Sequence, residues 1–413
     1  MNYYHLSSVS CVMKLYTVPS TRAALKVELR NNARLGPLWY RVNDSSVNAS
    51  STLPQEIQSK EQINERVAIE SHAQGLSLKW KQTYAYAKAL MHFYRHGVSS
   101  VWNNYFKEYR ALKKNFKLTN IDNSGVQQSI KIPSFTKLTQ EMAQQLYILE
   151  MERNTQKQIQ KDDANMIKRV KSPSEAAHAG VSEFQLNRHQ YQILHRTPKD
   201  FVKIPSFAVI FMIFVETTPL LCYLLPEITP STCVLPNILP RLWSPKASIQ
   251  LRDMRTKDSA DLKSTEDAAR QTAFNLPLAE VKLLVSTLRL KSKYVPAFMF
   301  PETVLRRRLQ NHYNYLKVDD SFLSKNGNIW NLTEQELLLC CLERNIVLDI
   351  KQDSKLFGNG EQYFDELRLK LLRWLADFPD YNVGYIGLNH VLGEESVNDT
   401  KLIMNLWRED NKT

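Results

Sequence analysis

Glycine is scarce in this chain: 11 residues in 413. Few positions are free to take left-handed backbone, so phosphate-cradling Gly-rich loops and sheets built on many tight turns are disfavoured. Leu, Lys, Glu and Gln dominate long stretches instead, and these residues lose little freedom in a helix. The expected fold class is mainly α. The length is enough for two or three ordinary domains.

One stretch sets a second constraint. Between Lys203 and Glu227 the chain reads IPSFAVIFMIFVETTPLLCYLLP. A helix of about 20 apolar residues crosses the ~30 Å hydrocarbon layer, so a single membrane span is expected at about 204–226. A buried helix of a soluble body is the alternative. The run holds one ionisable side chain, Glu216, and an internal proline, Pro219. An intramembrane carboxyl is a functional candidate by default. Basic residues flank the run on both sides, so orientation stays open and so does a re-entrant hairpin.

The formal charge is +12, from 54 Lys and Arg against 42 Asp and Glu. Such an excess fits a negative partner, either nucleic acid or anionic lipid. Part of it lies near the start. Residues 1–42 carry Lys14, Arg22, Lys26, Arg30, Arg34 and Arg41 against Glu28 alone, with many hydroxyls. That is the composition of a mitochondrial transit peptide, assigned to 1–45. The five cysteines form no C-x-x-C pair, and neither a disulfide framework nor a zinc site is expected.

Residues 46–75 are polar and read as a linker. An amphipathic helix is expected over 76–117, with Met91, Tyr94, Val98, Val101, Tyr105 and Leu112 on one face and a kink at Gly97. Its aromatic face and basic flank suit a membrane surface or packing on the rest of the protein. Residues 118–185 read as a polar connector, and 186–232 as the membrane segment. Residues 233–413 form a helical domain. In it, 266–292 is one helical stretch and Pro301 opens the next. Thr333 with Glu336 makes a capping box, and Phe364, Leu367, Leu371, Trp374 and Phe378 line a last strong helix.

Several of these strings resemble the LETM family (leucine zipper/EF-hand transmembrane proteins). LPEITPSTCVLPNILP after a span holding FVE is similar to that family's glutamate, proline and Pro-punctuated exit. HFYRHGVSSVWNNY is similar to its His-Tyr-x-x-Gly-x-x-x-x-Trp helix. LRRRLQNHYNYLKVDD, LTEQELLLCCLERNI and ELRLKLLRWLADF resemble its ribosome-binding domain. The resemblance implies an inner-membrane protein with a 14-3-3-like helical domain in the matrix. The implied partners are the large subunit of the mitochondrial ribosome and inner-membrane lipid, with a homo-oligomer possible. The chain lacks the long coiled coils, and its Asp349–Glu361 run fails the EF-hand pattern.

Two functions follow as expectations. The first is a tether for membrane-coupled translation and respiratory-chain biogenesis. It would touch ribosomal phosphates through Arg306, Arg307, Arg308, Lys317, Arg368, Lys370 and Arg373. The second is a part in cation/proton exchange and volume control, with Glu216 as the proton carrier beside Pro219. An enzyme is not expected, because no P-loop, dinucleotide, nucleophile-elbow or zincin motif occurs. No cofactor or metal is expected either.

Overall fold

The computed structural model describes residues 35–41, 45–70, 75–114, 116–119, 127–130, 132–162, 186–213, 218–235, 238–243, 245–258, 262–324, 329–350, 360–388 and 397–411. The fold is mainly helical. In chain order its helices begin with α1 (Leu35–Trp39), α2 (Lys60–Glu70), α3 (Leu76–Asn103) and α4 (Arg110–Lys114). A hairpin of β1 (Phe116–Thr119) and β2 (Gln127–Ile130) follows, antiparallel, with Phe116 opposite Ile130 and Thr119 opposite Gln127. Next come α5 (Phe135–Asp162), α6 (Arg188–Ile213), α7 (Thr218–Leu224), α8 (Leu239–Leu242) and α9 (Pro245–Asp258). The chain continues with α10 (Leu262–Ala269), α11 (Leu278–Thr287), α12 (Glu302–Ser324), α13 (Glu334–Glu343), α14 (Gly360–Asp377) and α15 (Val397–Asp410).

The chain divides into two compact units. The first comprises Met1–Asn48, Asn115–Arg188 and Trp243–Thr413, and the second Ala49–Lys114 and His189–Leu242. In the first unit α12 packs on α5, α11 and α14, and α13 and α15 pack on α14. The sequence spacing puts Leu305, Leu309, Tyr313 and Leu316 on the core face of α12; the three leucines are fully buried and Tyr313 is half-buried. On α14 Leu367, Leu371 and Trp374 are buried, Phe378 is buried just beyond its end, and Phe364 is half-buried. Thr333 caps α13 by accepting from the Glu336 amide at 3.4 Å. The reciprocal half of the capping box is missing. The Thr333 amide donates to Asn48 Oδ1 instead, and the Glu336 carboxylate accepts from Arg188 at 2.9 Å. The stretch 266–292 is two helices, because the chain turns between Ala269 and Leu278.

Helix α1 lies inside the segment assigned to a transit peptide, yet it is part of the core. Trp39 is buried, its indole donating to Asp410 Oδ2 at 3.1 Å. The Trp330 indole donates to the Leu38 carbonyl at 2.8 Å and the Trp407 indole to the Trp39 carbonyl at 2.9 Å. Losing residues 1–45 would strip these partners from the buried Trp330 indole and the half-buried Trp407 indole, at about 1–3 kcal/mol for a fully buried orphaned donor and less for the half-buried one. Any processing is therefore expected to fall before Leu35. Mass measurement of the mature protein checks this, and a chain starting beyond Trp39 would disprove it.

The second unit corrects the membrane span. No helix among the described residues is long and apolar enough to cross a membrane. The apolar run is shared between α6, which ends at Ile213, and α7, which starts at Thr218. Helix α6 begins with a charged half that includes Arg188, Arg196, Lys199, Asp200 and Lys203. Only about its last ten residues are apolar, roughly 15 Å of helix and half a bilayer core. Those residues have protein to pack on: Phe207 and Cys222 bury with Leu90, Phe93, Tyr94, Cys233, Val234, Leu235 and Ile238. Tyr94 lies against both Phe207 and Phe211, with ring centroids 5.8 Å apart in each case.

Candidate membrane-contact surface

Helix α3 carries the surface most in need of a partner. At 100° per residue its buried face is Leu90, Phe93, Tyr94, Gly97 and Val101. A second apolar stripe runs beside that face and points to solvent. Leu76, Trp80, Tyr84, Met91 and Trp102 are separated by four, four, seven and eleven residues. Each interval is close to a whole number of turns, so the five share a sector of about 80°. Trp80 is 75% exposed, Tyr84 72% and Trp102 52%. Met91, expected on one face with Tyr94, Val98 and Val101, belongs instead to this stripe.

The stripe turns onto α6 at one end. After Asn103 the helix widens into a π-helical turn, Asn104–Tyr109, with the Asn104 amide donating to the Ser51 carbonyl at 2.8 Å. The wider turn sets Tyr105 flat on Phe201, centroids 3.7 Å apart and planes 7° from parallel. Trp102 and Phe106 close the same cluster, and Val202 next to it is exposed. Further exposed apolar side chains follow on α6 at Val209, Met212 and Ile213, and on α7 at Leu220 and Leu224.

Cations border the stripe. Residues 76–114 hold eight Lys or Arg and one acid, Glu108. Lys81, Lys88 and Arg95 lie on the flank away from the core, exposed and without an ion pair among the described residues. Arg110 lies 5.4 Å from the Phe106 ring centroid and Lys113 5.6 Å from that of Tyr109. A core face, an aromatic solvent face and a basic edge on one helix match the general pattern of interfacial helices, in which rings lie at the acyl boundary and cations among the phosphates.

The residues singled out from sequence are placed differently. Glu216 lies outside the described residues, and Pro219 is the second residue of α7. Arg306 is turned onto the chain, its Nη1 donating to the carbonyls of Ala273, Phe274 and Leu276 at 2.6–2.9 Å. Arg308 donates to the Leu290 carbonyl at 3.0 Å. Lys317 pairs with Glu150 at 2.8 Å, Lys370 with Glu366 at 3.0 Å and Arg368 with Asp365 at 3.2 Å. Arg373 stands 3.8 Å from Asp377. Arg307 alone of the seven is exposed with no such partner among the described residues. The structure does not gather these cations into one patch. It gathers others into the core: Arg188 and Arg344 share Asp319, Arg188 also holds Glu336 and Arg344 holds Asp320.

A cleft of about 670 Å³ also opens in the first unit, between α5, α12 and the turn at Pro379–Asn382. Gln140, Gln144, Tyr147, Arg270, Tyr313 and Tyr381 line it. Its acids and cations balance, and it gathers no nucleophile with a base.

Comparison with known families decides the affiliation. Residues 47–326 match the family model described as the pentamidine resistance factor domain. The chain belongs to the pentamidine resistance factor family. No curated protein and no solved structure matches it. The LETM resemblance is thereby overturned: no LETM match accompanies this one, and three of its strings, at the Trp102 helix, the Pro-rich exit and the Arg306–Arg308 helix, lie inside the matched domain. Short strings of this sort follow from local physics. A Pro-punctuated exit from an apolar run and an Arg-rich amphipathic helix recur wherever such elements are needed. The 14-3-3-like expectation came with that resemblance and is withdrawn with it. The pentamidine resistance factor domain includes the whole of the second unit and therefore the entire α3 stripe.

Proposed function

We propose that this pentamidine resistance factor family member is a non-enzymatic adaptor. It lies on the surface of a mitochondrial membrane through its second unit and holds its first unit at that surface for a partner. The carrying observation is the solvent-facing Leu76–Trp80–Tyr84–Met91–Trp102 stripe with its basic edge. Mitochondrial targeting is supported by the basic, acid-poor start of the chain. This reading keeps lipid as a partner. The ribosome and exchange expectations rested on the overturned resemblance, and most of the cations meant for RNA are engaged within the chain.

Burying a large apolar side chain contributes about 1.5–3 kcal/mol, and each Lys or Arg near an anionic surface about 1 kcal/mol. Wild-type protein is expected to co-sediment with vesicles containing anionic lipid, and less with purely zwitterionic ones. Trp80→Asp/Tyr84→Asp, both on the exposed face, is expected to keep the helical circular dichroism and lose at least tenfold in partitioning. Alkaline carbonate is expected to strip the protein from mitochondrial membranes, as it does a surface-bound protein. Wild-type protein left in the supernatant with anionic vesicles would end the proposal.

A further inference from the structure

The first unit has a feature that its own packing does not explain. Between α11 and α12 the chain reads RLKSKYVPAFMFP, residues 289–301. Tyr294 is exposed, Phe298 is 78% exposed and Met299 64%. A flexible loop would fold such side chains against the nearest apolar surface. This loop is held so that it does not. Pro296 precedes a 3₁₀ turn at Ala297–Met299, and Pro301 follows it. The Lys291 ammonium donates to the carbonyls of Ser292 and Val295 at 3.3 and 3.0 Å. Arg308 ties the Leu290 carbonyl, and its guanidinium lies 4.7 Å from the Phe300 ring centroid. The Leu290 amide closes the end of α11 on the Val285 carbonyl at 2.9 Å. Two cations, Lys291 and Arg308, and two prolines thus fix a turn whose tip is Phe298–Met299, and the ordering cost of presenting that tip is met before any partner arrives.

We infer that the Lys291–Pro301 loop is a lipid-inserting loop that places Phe298 and Met299 at the acyl boundary of an anionic membrane. The inference rests on the membrane-surface reading above and adds a second contact, on the other unit. Charge selects the occupant. Residues 289–308 hold six Lys or Arg and one acid, Glu302, and both Lys293 and Arg307 are exposed. Size argues against a protein partner: three protruding side chains fall far short of the roughly 800 Å² per partner of a stable interface. Chemistry argues against RNA, since the tip pairs one ring with a thioether beside Val295 and Pro296, where a base-stacking site needs successive ring faces. A bilayer accepts whatever protrudes, and two contacts in one chain raise avidity through effective concentration.

The test uses the full chain with Cys11→Ser and one added cysteine, Phe298→Cys or Trp80→Cys, labelled with an environment-sensitive fluorophore. Cys222, Cys233, Cys340 and Cys341 are buried, and burial pushes the Cys233 and Cys340 thiols up to about 12, so they stay unlabelled. The expected result is a blue shift at both positions with vesicles containing anionic lipid, much weaker at position 298 with zwitterionic vesicles. A shift at 80 without one at 298 overturns the loop and leaves the second unit's stripe standing. A shift at 298 alone supports the loop and removes the stripe. No shift at either position overturns both. Equal shifts at 298 on both vesicle types overturn the headgroup selectivity. Unlabelled Phe298→Asp/Met299→Asp, which touches no core residue, is expected to lower vesicle partitioning several-fold while leaving the thermal transition in place. Unchanged partitioning would count against the loop.

Discussion

Arg344→Ala is expected to destabilise the first unit by about 3–5 kcal/mol, because it strips the partner from charges that cannot reach water. The guanidinium is fully buried. Its Nε donates to Asp320 Oδ1 at 2.9 Å, its Nη2 to Asp319 Oδ2 and Asp320 Oδ1 at 2.6 Å each, and its Nη1 to the Cys340 carbonyl at 3.0 Å. Arg188 completes the cluster from the opposite side, bridging Asp319, Glu336 and the Val47 carbonyl. Without Arg344, the Asp320 carboxylate keeps, among the described residues, only the Trp374 indole, at 2.8 Å. Lysine would restore the charge but not the fork that reaches two carboxylates at once, so Arg344→Lys is expected to fall between the two. Pairing Arg344→Met with Asp320→Asn removes charge and countercharge together and is expected to recover much of the loss. Urea unfolding followed by tryptophan emission reads all four proteins. An Arg344→Ala transition within about 1 kcal/mol of wild type would show that the cluster does not hold the fold.

The same cluster sets an acid response. Burial alone would raise the Asp319 carboxyl, but Arg188 and Arg344 outweigh it and hold the group well below the usual range. Its contribution is therefore complete above the unfolded value of about 3.9 and is lost as pH falls below that towards the depressed folded value. Asp320 is pushed upward by burial, against the pull of Arg344, and acts in the opposite sense. With Arg344 gone, Asp319 loses one of its two depressing charges, so the variant is expected to show a shallower acid-side loss of stability.

The periodic parts of this architecture were open to reading from sequence. Leu305, Leu309 and Leu316 on α12, the α14 face and the Thr333 cap depend on residues three and four apart, and local spacing carries that information. What escaped depends on distant partners. Arg188 meets Asp319 across 131 positions, and nothing near either residue announces the other. Arg306 and Arg308 bond backbone carbonyls, acceptors present at every residue, so three consecutive arginines looked available when two were engaged. Hydropathy alone does not separate a span at 204–226 from the apolar end of a long helix and a short second helix that bury Phe207 and Cys222 in a local core. The exposed stripe was in principle legible. Leu76, Trp80 and Tyr84 are spaced by four, but the buried face dominates the centre of the helix.

Gly97→Leu is expected to unfold the second unit selectively, and it tests the packing that turns the α3 stripe outward. A kink was expected at this glycine, yet α3 runs unbroken through it. Its lack of a side chain serves a close approach. The 3₁₀ turn Ser231–Cys233 lies directly against it, with the Thr232 hydroxyl donating to the Gly97 carbonyl at 2.9 Å. A Cβ at position 97 would stand 2.5 Å from Cys233 Sγ and 2.8 Å from the Thr232 carbonyl oxygen. The thiol could rotate away, but the carbonyl is backbone and must move with its turn. Two effects compete in Gly97→Ala. Helix propensity favours alanine by about 1 kcal/mol, and overpacking against backbone costs about 1–3 kcal/mol, so a net loss is expected. Leucine adds three more carbons to the same gap and is expected to separate α3 from the turn. Hydrogen exchange read by mass spectrometry should show protection lost across α3 and α6 and retained in α12 and α14. Vesicle binding through the stripe should fall with it, whereas Trp80→Asp/Tyr84→Asp loses binding with protection intact. A Gly97→Ala protein more stable than wild type would mean that the turn yields easily, and that the rotation of α3 is fixed by its apolar contacts alone.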